Sequence, residues 1–206
     1  IDIFVDSVAA IEKSSYSGRS VLAFVMVPAG INGYDKELVA KLGGKESDYT
    51  THTSHNLQYP ENDPVLCRMG ALGINNKVNN KVKLLFIPSY LNGSDGVFNM
   101  PYYQLLSGLD LSVFPSYYEP WGYTPLESLA FKVPTITTTL AGFGLWVNEY
   151  YTKAHPGISI IPRDESNYDE VVKGVCEKII EISSLTESEK KQYKDNAKSV
   201  SEVALW

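Results

Sequence analysis

The chain has 206 residues, of which 44% are hydrophobic, enough to build one sizeable core. Its 18 lysines and arginines stand against 24 aspartates and glutamates, which gives a formal net charge of -6 at pH 7. This acidic balance, with no basic cluster to offset it, argues against a nucleic-acid partner. No apolar run approaches the roughly 18 residues that span a bilayer, so we expect no membrane partner either.

The cysteines and histidines do not form a recognisable bonding pattern. Cys67 and Cys176 lie far apart and fit neither a disulfide framework nor a zinc site, so we expect buried thiols in a reducing cytoplasm. His52 and His55 form a His-x-x-His without helical context or further ligands, which predicts no metal site. His155 is expected at the surface. Because the sequence begins at an isoleucine and shows no signal-peptide pattern, we expect a cytoplasmic fragment of a longer chain.

The hydrophobic pattern predicts helices alternating with strands. A helix at 1–13 comes first, followed by a continuous apolar run at 21–27 of the kind found in strands buried on both faces. Further strands are predicted at 84–87, 111–114, 133–137 and 158–161, and helices at 64–72, 102–106, 125–131 and 168–182. This order favours an α/β fold, a doubly wound, Rossmann-like parallel sheet of about five or six strands. We treat 1–206 as a single domain.

Four predicted strands finish at a proline, which cannot donate an N–H to a sheet. In a parallel sheet these strand ends share the carboxyl edge, where open α/β sheets bind their ligands. The loops expected there are rich in glycine or small polar residues and lie at 29–33, 90–99, 116–123 and 138–144. The polar stretch at 34–62 is longer than an ordinary connection, and both an insertion and a mobile flap are open for it.

The stretch with the most chemical content is VFPSYYEPWGYTPLESLAF at 113–131. Its TPLE string predicts a capping box between Thr124 and Glu127, with proline at the first helical position. Glu119 and Gly122 precede this helix start, where orphan N–H groups and the helix dipole favour a phosphate. The two glutamates are eight residues apart, so both can face one ligand at the helix N-terminus.

SYYEPWGYTPLES and the later TTTLAGFG resemble the Glu-x7-Glu element of retaining glycosyltransferases with the GT-B architecture. The sequence is most similar to glycogen synthases of the fungal and animal type, glycosyltransferase family three, over nearly the whole chain. The resemblance implies a C-terminal, donor-binding domain of a retaining glucosyltransferase. Its donor would be a nucleotide-diphosphate glucose, with UDP-glucose favoured and the ADP and GDP forms left open. Its acceptor would be an α-1,4-glucan. No cofactor and no metal are expected.

The same resemblance implies partners and leaves alternatives open. The partners are the nucleotide-sugar, the glucan and the N-terminal domain of the same chain, with a homo-oligomer open for the full-length enzyme. The basic pair that clamps the donor phosphates is expected upstream, outside this sequence. The terminal helix at 186–206, which is predicted to begin at a capping box from Thr186 to Glu189, either crosses back to the N-terminal domain or is an ordinary surface helix. Another retaining GT-B transferase and a non-catalytic nucleotide-sugar sensor remain alternative functions.

The resemblance also assigns roles around the glutamate turn. Glu119 is the catalytic candidate, placed beside the transferred glucose near its anomeric carbon. Gly122, Tyr123 and Thr124 would offer backbone N–H groups to the diphosphate, and the Thr124 hydroxyl would add another donor.

Four side chains complete the expected donor site. Tyr102 would stack on the nucleotide base, with Tyr103 as the alternative one position away. Glu127 would hold the ribose hydroxyls in addition to its capping bond. Trp121 and Tyr123 would either wall the sugar or fill the space under the turn.

A regulatory feature of the resembled family is expected to be missing. Eukaryotic members sense glucose 6-phosphate with an arginine-rich helix near the C-terminus. The corresponding stretch here, at 190–201, has lysines and no arginine. Lysine is the poorer bidentate phosphate ligand, so we expect no such activation.

Overall fold

The computed structural model describes residues 1–42, 50–151 and 156–204. His155 and part of the 34–62 stretch lie outside these residues. The chain forms two compact units, Ile1–Tyr102 and Tyr103–Trp206. The elements in chain order are α1 (Asp2–Lys13), β1 (Val21–Met26), β2 (Ile31–Tyr34), α2 (Lys36–Leu42), β3 (His55–Leu57), α3 (Pro64–Ala71), β4 (Val82–Ile87), α4 (Tyr102–Leu106), β5 (Ser112–Val113), α5 (Tyr123–Ala130), β6 (Thr135–Thr138), α6 (Gly142–Tyr150), β7 (Ile158–Ile161), α7 (Tyr168–Ser183) and α8 (Glu187–Val203).

The first unit is built on the parallel pair β1 and β4. The helix α1 packs against β4 and α3 with its buried apolar face. Across the two helices, Arg68 donates two hydrogen bonds to the Asp6 carboxylate, from Nε at 2.6 Å and from a terminal nitrogen at 2.5 Å. This fork-shaped pair fixes the register of α3 on α1.

The helix α2 and the strand β3 lie in the 34–62 stretch that the sequence could not place. The strand β3 pairs antiparallel with β2, which occupies most of the loop expected at 29–33. His55 is buried there, with Nδ1 at 2.8 Å from Ser54 Oγ and Nε2 at 2.8 Å from the Asp95 carbonyl oxygen. His52 Nε2 lies 2.8 Å from the Ile74 carbonyl oxygen. Both imidazoles therefore have structural partners. Within the described ranges, no group of three or more potential metal ligands is found.

The second unit contains the parallel sheet β5-β6-β7. Its core joins this sheet to α5, α6 and α8, and the buried members are Leu126, Leu129, Phe143, Val147, Ile158, Ala197 and Val200. The apolar stripe of α8 is thus used inside the unit, against α5. The helix begins at a reciprocal capping box between Thr186 and Glu189, as the sequence predicts.

The predicted α/β class with parallel strands is confirmed. The five predicted strands correspond to β1, β4, β5, β6 and β7, whereas α2, α6 and the β2–β3 pair were not predicted. Cys176 is buried, but Cys67 is exposed, so the expectation of two buried thiols is wrong for Cys67. The reason is helical geometry, because α3 buries Val65 and Met69 and turns the position between them outward. No helix in the part of the chain that the structure describes is long and apolar enough to cross a membrane.

Candidate functional site

The loops that follow β5, β6 and β7 meet at the carboxyl edge of the second unit's sheet. Thr138, at the end of β6, donates from Oγ1 to the Ser116 carbonyl oxygen at 2.7 Å. The Arg163 amide, after β7, donates to Thr139 Oγ1 at 2.9 Å. The edge expected from the proline-terminated strands therefore exists in this unit, and the glutamate turn forms part of it.

The turn that carries Glu119 lies directly against the start of α6. The Gly142 amide donates to the Glu119 carbonyl oxygen at 3.0 Å, and the Phe143 amide donates to the Trp121 carbonyl oxygen at 2.5 Å. A Cβ atom on Gly142 would lie 2.1 Å from the Pro120 carbonyl oxygen. The expected loop at 138–144 is therefore wrong from Gly142 onward, because that glycine begins a helix and allows two backbone segments to touch.

The helix α5 begins at Tyr123, earlier than the sequence predicts. Its N-cap is Gly122, with φ 112° and ψ 72°, a left-handed conformation that favours glycine. The predicted capping box between Thr124 and Glu127 is wrong, since Gly122 turns the chain into the helix two residues sooner. Pro125 is the third helical residue, still in the first turn, where a missing N–H costs nothing.

The Glu127 side chain does not cap the helix but makes a hydrogen bond to another residue. Its Oε1 accepts from the Tyr103 hydroxyl at 3.2 Å, and the Tyr103 ring stacks on Phe131 with centroids 5.0 Å apart. The charge of Glu127, and then this hydrogen bond, raise the pKa of Tyr103. Tyr102, the predicted base-stacking residue, closes the first unit, where its amide donates to the Leu91 carbonyl oxygen at 2.9 Å.

The carboxylate of Glu119 is held beside Gly122. Ser116 Oγ donates to Glu119 Oε2 at 2.8 Å. A Cβ atom on Gly122 would lie 3.5 Å from the same oxygen, an ordinary van der Waals distance, so the carboxylate lies directly beside this glycine. A ligand group at the start of α5 would therefore meet backbone on one side and the carboxylate on the other.

The first turn of α5 supplies donors, while the neighbouring aromatic residues differ in exposure. No acceptor is found among the described residues for the amides of Tyr123 and Thr124, the groups that a helix N-terminus offers to an anion.

The Tyr123 side chain is exposed. Trp121 packs against Phe143 and Trp146, with ring centroids 5.7 and 6.2 Å apart, so it fills the space under the turn. Its role as a wall for a sugar stays a prediction.

Arg163 is a cation at the same edge that the sequence reasoning missed. Its guanidinium donates to the Pro115 carbonyl oxygen and lies 5.1 Å from the centre of the Tyr117 ring. Its place directly after a proline-terminated strand was the signal that could have found it. Ser116 was inside the recognised string, but only the folded turn shows that it touches Glu119.

Among solved structures, the chain is similar to WaaG, a glycosyltransferase involved in lipopolysaccharide biosynthesis. The TM-score is 0.42 at 15% sequence identity, and the match covers 87% of this chain and 52% of that chain. This similarity is too distant to assign a function.

Sequence comparisons identify nearer relatives. Glycogen [starch] synthase isoform 1 of Saccharomyces cerevisiae is 26% identical over 271 residues, covering 100% of this chain and 38% of that protein. Glycogen [starch] synthase of Neurospora crassa is 30% identical over 154 residues, covering 74% of this chain and 22% of that protein. The liver enzyme of Mus musculus is 38% identical over 112 residues, covering 54% of this chain and 16% of that protein. The chain thus spans less than half the length of these relatives.

The family model described as glycogen synthase matches residues 36–206, which include the glutamate turn, α5 and α6. The match extends over most of the chain and agrees with the motif at 113–131 on which the resemblance was based. The chain therefore belongs to the glycogen synthase family.

Proposed function

We propose that this chain is the donor-binding part of a retaining glucosyltransferase of the glycogen synthase type. The donor is a nucleotide-diphosphate glucose, UDP-glucose in the first place, and the acceptor is an α-1,4-glucan. One observation carries the proposal: the Glu119 carboxylate, Gly122 and the first amides of α5 lie together at one turn of a sheet's carboxyl edge. The activity of the whole protein belongs to the proposal, because the chain spans only part of its relatives' length.

The arrangement suits a reaction that separates charge. As the bond between glucose and diphosphate lengthens, positive charge grows on the anomeric carbon and negative charge grows on the diphosphate. Glu119 stabilises the first, and the amides of Tyr123 and Thr124 with the dipole of α5 stabilise the second. The 4-hydroxyl of the glucan attacks the anomeric carbon on the face from which the diphosphate leaves, and the departing phosphate accepts the hydroxyl proton. Attack on that face retains the anomeric configuration.

Two further side chains are candidate contacts for the rest of the donor. Glu127 is bonded to Tyr103 through Oε1 only, so its Oε2 is the oxygen assigned to a ribose hydroxyl. Tyr102 is assigned to the base, since a flat ring stacks on the face of any nucleobase. Uracil, adenine and guanine therefore have to be distinguished by experiment.

The test is a transfer assay on the full-length enzyme with UDP-, ADP- and GDP-glucose and glycogen as acceptor. We expect one donor to support transfer with retained configuration, read by NMR of the new linkage. Glu119→Gln should lower kcat about a hundredfold or more, the size typical of lost electrostatic stabilisation. Glu165→Gln is the matched control, because this exposed glutamate lies in the loop after β7 at the same edge.

The alternatives give different results in the same assay. Transfer of another sugar to another acceptor would identify a different retaining transferase. Nucleotide binding without transfer would identify a sensor. The absence of both nucleotide binding and transfer would refute the proposal. Residues 1–206 alone should bind a nucleotide weakly and transfer nothing. Calorimetric titration of that chain with UDP, ADP and GDP, repeated on Glu127→Ala and Tyr102→Ala, tests the donor contacts, and glucose transfer by it would contradict the expectation.

A further inference from the structure

The backbone and the side chain of Glu119 are connected through a closed circuit of hydrogen bonds. Ser116 Oγ donates to Glu119 Oε2 at 2.8 Å, and the Ser116 carbonyl accepts from Thr138 Oγ1 at 2.7 Å. Thr138 Oγ1 accepts from the Leu140 amide at 3.3 Å, and the Leu140 carbonyl accepts from the Glu119 amide at 3.2 Å. The circuit begins and ends on Glu119, so neither end of that residue moves without breaking a bond.

The circuit is anchored in the sheet. Thr138 is fully buried and is the last residue of β6, which has parallel partners on both sides. The two neighbours of Ser116 are also held, because Arg163 donates to the Pro115 carbonyl and lies over the Tyr117 ring. Ser116 is therefore fixed from three directions. A fixed hydroxyl can in turn fix the flexible side chain to which it donates.

Only one oxygen of Glu119 is used in this circuit. A hydroxyl bonded to a carboxylate makes a charge-assisted hydrogen bond, stronger than one between neutral groups. No residue that the structure describes donates to Glu119 Oε1. The Ser116 hydroxyl thus removes rotational freedom from the carboxylate and leaves its second oxygen open to a ligand.

We propose that Ser116 is a positioning residue for the transfer reaction. Its hydroxyl sets the direction of the Glu119 carboxylate, and Thr138 sets the position of Ser116. The inference rests on the proposed function, in which Glu119 faces the transferred sugar. It adds a residue that acts through Glu119 and touches neither donor nor acceptor.

The kinetic test uses the intact enzyme with Ser116→Ala, Ser116→Thr and Thr138→Val. Ser116→Ala should lower kcat about tenfold to a hundredfold, the loss that corresponds to one hydrogen bond to a charged group. The KM for the donor should change by less than about threefold, because the bond orients the carboxylate and does not bind the nucleotide. Ser116→Thr keeps the hydroxyl and should recover most of the rate, and Thr138→Val should lose part of it. Ser199→Ala is the control, since that exposed hydroxyl donates to the Asp195 carbonyl of its own helix.

A double-mutant cycle separates positioning from a general structural loss. In a Glu119→Gln background, Ser116→Ala should cost little further rate, because the serine acts through the missing carboxylate. Two independent losses that multiply would overturn the inference. A rate unchanged by Ser116→Ala would also overturn it.

Crystal structures of the intact enzyme, wild type and Ser116→Ala, give a readout that does not depend on activity. We expect the Glu119 carboxylate to leave its wild-type rotamer in the variant, and an unchanged rotamer would overturn the inference. An intact wild-type enzyme without transfer would refute the proposed function instead. In that case the rotamer comparison would still decide whether Ser116 directs Glu119.

Discussion

Gly142→Ala tests the contact that joins α6 to the glutamate turn. The new methyl group would sit 2.1 Å from the Pro120 carbonyl oxygen and 2.9 Å from the carbonyl carbon, far inside contact distance. Since the obstacle is backbone, a rotamer change cannot relieve it. The start of α6 has to move away from the turn, which lengthens the bonds from the Gly142 amide to Glu119 and from the Phe143 amide to Trp121.

The size of the effect follows from these contacts. Overpacking by one methyl group costs about 1–3 kcal/mol. Each of the two backbone hydrogen bonds contributes about 1 kcal/mol. Because partial movement relieves the clash while it weakens the bonds, the two costs do not simply add. We expect the free energy of unfolding to fall by about 2–4 kcal/mol.

Urea unfolding followed by tryptophan fluorescence measures this change, since Trp121 and Trp146 pack on Phe143 beside the altered residue. Gly70→Ala is the matched control. Gly70 lies in α3, and a Cβ there would meet nothing within 4 Å. That substitution should stabilise the chain by up to about 1 kcal/mol through its better helix propensity.

A Gly142→Ala chain as stable as wild type would refute the reasoning. It would mean that α6 does not approach the turn closely enough to require glycine. A loss of stability in both glycine variants would also count against it, because the control has room for the methyl group. The nucleotide affinity of the Gly142→Ala chain should fall together with its stability, since Glu119 and the start of α5 are displaced together.

Three further predictions follow from individual contacts. Thr186→Ala should cost about 0.5–2 kcal/mol because it removes the N-cap bond of α8, whereas Thr124→Ala, which caps nothing, should cost less than about 0.5 kcal/mol; urea unfolding of both variants decides. The pKa of Tyr103 is raised above 10.0 by Glu127, so the stabilisation from this pair is complete below pH 10.0 and is lost as the pH rises further. Glu127→Gln should therefore shift tyrosinate absorbance to lower pH, and the shift should vanish in a Tyr103→Phe background. Glucose 6-phosphate should not activate the full-length enzyme, because lysine is a poorer bidentate phosphate ligand than arginine. In addition, Lys190 and Lys191 of α8 already pair with Glu187 and Asp195. More than twofold activation in the transfer assay would contradict this prediction.

Local sequence signals predicted the elements well where each element is stabilised by its own residues. The apolar runs at 21–27 and 158–161 gave parallel strands, and the capping box at Thr186 gave the start of α8. The same kind of signal failed at Thr124. There the left-handed Gly122 started the helix earlier, and Glu127 bonded to Tyr103, 24 residues away in sequence.

The sequence by itself determined the α/β alternation, the edge of the strands at which the glutamate turn lies, and the family motif that contains Glu119 and Glu127. These depend on hydrophobic periodicity, on the backbone limits of proline and on a string of neighbouring residues. Only the tertiary structure decided which groups touch the two carboxylates and why α6 begins at Gly142. The bond from Thr138 to Ser116 spans 22 residues, and the contact of Gly142 with Pro120 spans a similar distance. Such contacts form when separate strands and loops pack side by side, so no pattern within one segment encodes them.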